Sequence, residues 1–154
     1  MLSVSLPSSP DLQAQPLRFL AAYWGVWQVM STRLHTALER QHGLDLRTFI
    51  ALSYVQAGPI TPAELARQLK VPRYEVARIL RRLDDLHAIA RRRDPADARS
   101  HELHTEPLGQ VLWAGAMQTV QAVTAPALST LNTDLDPLTA ALERLAALSP
   151  EDQP

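Results

Sequence analysis

The sequence predicts a mainly α-helical fold that carries one small β-hairpin. Two long stretches, 16–42 and 107–149, repeat apolar residues at helical spacing, while caps and breakers divide the segment between them into short helices. Within that middle segment the helical period gives way, over 87–105, to a polar, arginine-rich stretch. It is centred on Asp94-Pro95-Ala96-Asp97, which is turn chemistry. With 154 residues, 46% of them hydrophobic, the chain has enough apolar material for one core, and 16–149 is read as a single domain.

The elements follow in order. Residues 1–15, rich in Ser, Pro and Gln, read as a flexible N-terminal arm. A long helix is expected over 16–42, closed by Gly43. Its Leu17, Leu20, Trp24, Trp27, Leu34 and Leu38 alternate steps of three and four, with Ser31 filling one place, a stripe suited to a partner helix. Asp45 can cap a helix over 46–56 that Gly58-Pro59 ends. Thr61-Pro62-Ala63-Glu64 has the form of a capping box and starts a short helix to Leu69. Lys70-Val71 turns the chain, and a helix follows over 72–86. Strands are expected over 87–93 and 100–105, then a helix from 107 to about 123, where Pro126 bends or breaks it. Asp136-Pro137 opens a last helix, with Leu138, Ala141, Leu142, Leu145 and Leu148 on one face.

Composition excludes several functions. Without cysteine there are no disulfides, thiolate zinc sites or cysteine-based oxidant sensing. The apolar run 16–30 is short for a membrane span and is interrupted by Arg18 and Gln28, and the N-terminus has no signal-peptide pattern, so a cytoplasmic protein is expected. No glycine-rich phosphate loop, G-x-S-x-G elbow or H-E-x-x-H motif is present, and the chain is read as no enzyme and as needing no cofactor. His35, Glu39 and His42 share one face of the first helix. They fit a polar stripe better than a metal site, since the fifth helix offers no histidine to complete one.

The net charge is −1, but between 73 and 99 eight arginines face five acids, a local excess of +3. Such a segment on a near-neutral chain fits an anion-binding surface, or simply a solvated helix face. Two short helices, a tight turn and a hairpin make the winged form of helix-turn-helix. On a helical wheel of 72–86, Val76, Ile79, Leu80 and Leu83 point inward. Tyr74, Arg78 and Arg81 lie opposite with Arg82 nearby, a ridge that suits a major groove.

Residues 44–109 resemble the DNA-binding core of MarR-type regulators. The resembling stretches are Gly58-Pro59-Ile60-Thr61, then Ala63-Glu64-Leu65-Ala66 leading to Leu69, and Val76-Ala77-Arg78-Ile79-Leu80-Arg81-Arg82-Leu83. The most specific is Arg91-Arg92-Arg93-Asp94-Pro95-Ala96-Asp97-Ala98-Arg99, which ends in the family's Asp-x-Arg wing signature. The resemblance implies a winged-helix lobe over 44–106 and a two-fold dimer joined through helices 16–42 and 107–149. It implies that Arg73, Tyr74, Glu75 and Arg78 occupy base-reading positions, that Arg99 enters the minor groove, and that Asp97 orients it. Arg81, Arg82 and Arg91 complete the expected DNA-contacting set. The chain departs from the family at Tyr74, Glu75 and Ala77, where small Ser or Thr residues are usual. It departs again at His87, where glycine is usual, and at Thr105, where alignment on Gly109 calls for leucine.

The resemblance further implies a sequence-specific, ligand-responsive repressor on a pseudo-palindromic operator, its half-sites about one helical turn (~34 Å) apart. A small, often aromatic, effector would bind between the dimer frame and the DNA-binding lobe. Tyr23, Trp24, Trp27 and Phe49 are the candidates to line that site, with core packing as the competing role. The alternative reading, supported by Tyr74, Glu75 and the polar wing, is a winged-helix protein that no longer reads DNA and serves as a ligand- or protein-binding module.

Overall fold

The computed structural model describes residue 11 and residues 13–148, so most of the expected arm lies outside the described residues. The order is α1 (Gln15–His42), α2 (Leu46–Ala57), α3 (Pro62–Leu69), α4 (Arg73–Asp85), β1 (Ile89–Arg93), β2 (His101–Thr105), α5 (Pro107–Leu128), a 3-10 segment (Ser129–Asp134) and α6 (Leu135–Ala146).

The expected caps are in place. Gly43 ends α1 in the left-handed region at φ 65°, and Asp45 Oδ1 accepts the Thr48 N–H at 2.7 Å to start α2. At α3 the capping box is complete: Thr61 Oγ1 accepts from Glu64 N (3.2 Å) and Glu64 Oε2 accepts from Thr61 N (2.9 Å). These contacts satisfy amide groups that the first helical turn leaves without partners.

The core lies inside the lobe formed by α2, α3, α4 and the hairpin, roofed by the end of α1 and the middle of α5. Leu38, Leu52, Leu65, Ile79, Leu83 and Leu103 are fully buried there. All four inward residues expected on α4 are buried. The two strands pair antiparallel from Ile89 opposite Thr105 to Arg93 opposite His101. Ile60 adds a single bridge to Leu103, exchanging both backbone hydrogen bonds (2.8 and 3.4 Å), so the hairpin is pinned to the start of the helix-turn-helix.

Two local features correct the sequence reading. The helix expected to bend or break at Pro126 runs on as α5 to Leu128, and the chain changes direction at Asn132 (φ 46°, ψ −118°). Phe49, a candidate effector contact, is only 6% exposed and belongs to the hydrophobic core cluster, the competing role, and it does not line the cavity beside α1.

Outside the lobe the picture reverses. Leu17, Leu20, Trp24 and Trp27 on α1, Leu138, Leu142 and Leu145 on α6, and Leu148 just after it are all large, apolar and exposed. Of the stripe that the heptad-like spacing implied on α1, the first four members are exposed, while Leu34 and Leu38 are buried.

Candidate nucleic-acid interface

The outer face of α4 and the hairpin enclose a cleft of about 620 Å³. Arg73 and Arg81 reach it from α4, and Arg91, Arg99 and His101 from the hairpin. Thr61-Pro62-Ala63, at the start of α3, forms its floor. Asp84 is the one acid on its wall, and Arg91 Nη1 holds that carboxylate at 2.8 Å. Four arginines against one aspartate leave the cleft strongly positive.

The hairpin tip is built by two aspartates acting on the main chain. Asp94 Oδ1 accepts from Ala96 N (2.8 Å) and Asp97 Oδ1 from Arg99 N (3.0 Å), while Asp94 N and Ser100 O close the loop at 3.0 Å. The resemblance assigned Asp97 to the Arg99 guanidinium. Its carboxylate instead caps the turn that carries Arg99, and among the described residues the Arg99 side chain has no ion-pair partner.

At the entrance of α4 the polar contacts are denser. Glu75 Oε1 receives Arg78 Nη2 at 2.6 Å and Arg47 Nη1 at 2.8 Å, and Glu75 Oε2 receives Arg78 Nε at 3.3 Å. Asp45 Oδ2 stands 3.9 Å from Arg78 Nη1. The hydrogen bonds from Arg78, and then from Arg47, hold the Glu75 carboxyl down at about 2, and Glu75 in turn raises the Arg78 guanidinium. Tyr74 beside them is 74% exposed. Arg47 was missed by sequence reasoning. The only local hint was its place two residues after the capping Asp45, and its partner lies 28 positions away.

Arg82 does not join the cleft. Its Nε and Nη2 both donate to the Gly43 carbonyl (3.3 and 2.9 Å), because the last carbonyls of α1 lack helical partners and this guanidinium supplies the donors.

A second cavity, of about 740 Å³, lies between α1 and the lobe, lined among others by Trp27, His35, Asp45, Arg47, Tyr54 and Lys70. Of the four aromatics considered for an effector, it takes Trp27 alone. Tyr23 stacks on Phe19 (centroids 6.3 Å apart) and Trp24 is 60% exposed on the outer stripe. Tyr54 was not anticipated. His42 is engaged elsewhere: its Nε2 lies 2.8 Å from Thr119 Oγ1 on α5. Among the described residues no three His, Cys, Asp or Glu side chains gather as metal ligands would.

Two short helices joined by Lys70-Val71-Pro72, a hairpin pinned by Ile60 and an arginine-lined cleft between them define a winged helix-turn-helix protein. Residues 42–100 match the model of the MarR family. The lobe is thus similar to the DNA-binding part of that family, and the fold of the whole chain agrees with solved structures over most of its length. The transcriptional regulator BldR from Sulfolobus solfataricus superposes with a TM-score of 0.80 at 16% identity, covering 90% of this chain and 100% of that one. The MarR family protein Rv2887 from Mycobacterium tuberculosis, solved with p-aminosalicylic acid, gives 0.66 at 28% identity, covering 86% and 99%. A mutant MarR from E. coli, solved with operator DNA, gives 0.72 at 22% identity, covering 90% and 100%. No curated protein matches the sequence.

Proposed function

We propose that this chain is a sequence-specific DNA-binding regulator of transcription, a homodimer that represses by occupying a pseudo-palindromic operator and is released by a small ligand. The cleft between α4 and the hairpin carries the reading: Arg73, Arg81, Arg91 and Arg99 converge on a space open to a phosphate backbone. The N-terminal half of α4 enters the major groove with Arg73, Tyr74 and Arg78 foremost, and the hairpin sets Arg99 over the flanking minor groove.

The winged lobe spans 44–106, and the helices of 16–42 and 107–149 form the dimer frame. The exposed leucines and tryptophans of α1 and α6 supply its apolar surface. The cavity beside Trp27 is the place for an effector. The aromatic acid bound by Rv2887 supports a small aromatic one. Release requires a ligand that prefers the non-binding spacing of the two lobes, since equal affinity for both states shifts nothing. No described helix is long and apolar enough to cross a membrane, and we place the protein in the cytoplasm.

The test is selection of bound duplexes from random and genomic fragments with the purified chain, followed by salt titration on selected and random DNA. A specific reader binds its selected site ~10³-fold or more tighter than random DNA. Equal affinities would overturn this function in favour of a ligand- or protein-binding module.

A further inference from the structure

Arg78 is held before any DNA arrives. Its Nε and Nη2 edge lies against Glu75, at 3.3 and 2.6 Å, as a two-point fork. A guanidinium presents a second pair of parallel donors at its tip, one N–H from each terminal nitrogen. That tip is not taken up by the fork. The nearest acid, Asp45, is 3.9 Å from Nη1, and the Arg78 side chain is 56% exposed. Guanine offers O6 and N7 side by side in the major groove, and two parallel donors match them.

Glu75 itself is fixed from a different helix. An i, i+3 pair on one helix leaves both side chains free to swing together. Here Arg47 of α2 grips the same Oε1 at 2.8 Å, so the pair is anchored to the body of the lobe. With Oε1 occupied twice and Oε2 once, most of the acceptor capacity of Glu75 is already committed to the two arginines. Asp45 and Glu75 also balance the charges of Arg47 and Arg78, so attraction of phosphate is weakened while donor geometry is kept.

We propose that Glu75 and Arg47 are positioning residues that hold Arg78 to read guanine end-on, so that Arg47, outside the reading helix, sets sequence preference at one base pair per half-site. This rests on the DNA-reading function proposed above. Arg78 is the reader. Glu75 and Arg47 lower the loss of rotamer freedom on binding and exclude other approaches of the guanidinium.

The experiment selects binding sites from a randomised duplex pool with the full chain, wild type and four variants: Arg78→Lys, Glu75→Gln, Arg47→Ala and Arg47→Lys. Thermal melting confirms that each is folded. For wild type, replacing one particular guanine per half-site should cost roughly 5- to 150-fold. Arg78→Lys, which loses the parallel donor pair but can still donate to guanine, should lower preference at that position by about tenfold. Glu75→Gln and Arg47→Ala should reduce it by about tenfold at the same position, with preferences elsewhere unchanged. Arg47→Lys, which retains a cation for Glu75, should stay within about threefold of wild type.

Three results would overturn the inference while leaving the proposed function standing. One is an Arg47→Ala profile identical to that of the wild type. Another is an Arg47→Ala variant that weakens all sequences alike and lowers the salt slope by about one contact, as loss of a phosphate contact does. The third is a cytosine preference erased by Glu75→Gln, which would make Glu75 the reader. A wild-type chain without any sequence preference would overturn the proposed function and this inference together.

Discussion

Gly109 on α5 lies directly against the Ala88 carbonyl. A Cβ added at 109 would overlap that oxygen and stand 2.8 Å from the carbonyl carbon and 2.9 Å from Thr105 Cγ2. The same oxygen accepts the Glu106 N–H at 2.9 Å, so neither chain can retreat without breaking the junction of hairpin and helix. Gly109→Ala should therefore destabilise the fold by about 2–3 kcal/mol, read as a lower urea midpoint. An unchanged midpoint would mean that α5 shifts without cost.

His87 adopts φ 52°, the left-handed conformation that the family's usual glycine takes without strain. His87→Gly should raise stability by about 0.5–1 kcal/mol, the relief of strain exceeding the greater freedom of glycine in the unfolded chain. Thermal melting checks it, and a lower Tm would show that the imidazole makes a stabilising contact.

The Glu75 carboxyl is held at about 2 in the fold, below its usual range near 4.3. A depressed carboxyl stabilises the fold above its unfolded value, and that contribution is lost as pH falls toward its folded value. The wild type should therefore melt higher than Glu75→Gln near pH 6, with the gap closing between about pH 4.5 and 2. Tm measured against pH for the two proteins decides the matter. A constant gap would assign the difference to packing rather than charge.

Replacing Trp24 and Trp27 together by glutamate should give monomer or aggregate and abolish DNA binding, because charges would enter the apolar stripe of α1. Sedimentation showing an intact dimer would remove that stripe from the proposed interface.

Arg99 sits on a hairpin tip whose shape comes from Asp94 and Asp97, and its guanidinium is not required to hold that shape. Arg99→Ala should weaken binding most on A·T-rich flanks and leave stability within about 0.5 kcal/mol. Asp97→Ala should weaken both kinds of flank alike, since it loosens the turn itself. Matched A·T- and G·C-flanked duplexes separate the two. Equal losses for Arg99→Ala would exclude the minor groove.

The elements were legible wherever the signal was local. The capping box at Thr61, the glycine after α1 and the inward stripe of α4 each act within a few residues, and the structure follows them closely. Contacts between distant segments were not legible. The Ile60–Leu103 bridge is one residue long and has no periodicity to reveal it. Arg82 looked like another exposed arginine because its acceptor, Gly43, lies 39 positions back. Phe49 belongs to a helix that is apolar on several sides, so the sequence could not tell core from cavity. Alignment on Gly109 left the register at the hairpin's end open, because Thr105 stands where leucine is expected; in the structure Thr105 pairs with Ile89.

The bond from Arg82 to Gly43 also has a mechanical consequence. It pins the C-terminal part of α4 to the end of α1, while Arg47 and the buried Val76 hold the N-terminal part to the rest of the lobe. The lobe, with the reading helix inside it, is thus a lever with its fulcrum on the long helix of the frame. At a rise of about 1.5 Å per residue, Arg73 stands ~13 Å from that fulcrum, and a tilt of about 15° sweeps it ~3.5 Å. That sweep exceeds the tolerance of a hydrogen bond to a base edge. A small rotation where α1 ends is thereby magnified at the tip that meets DNA.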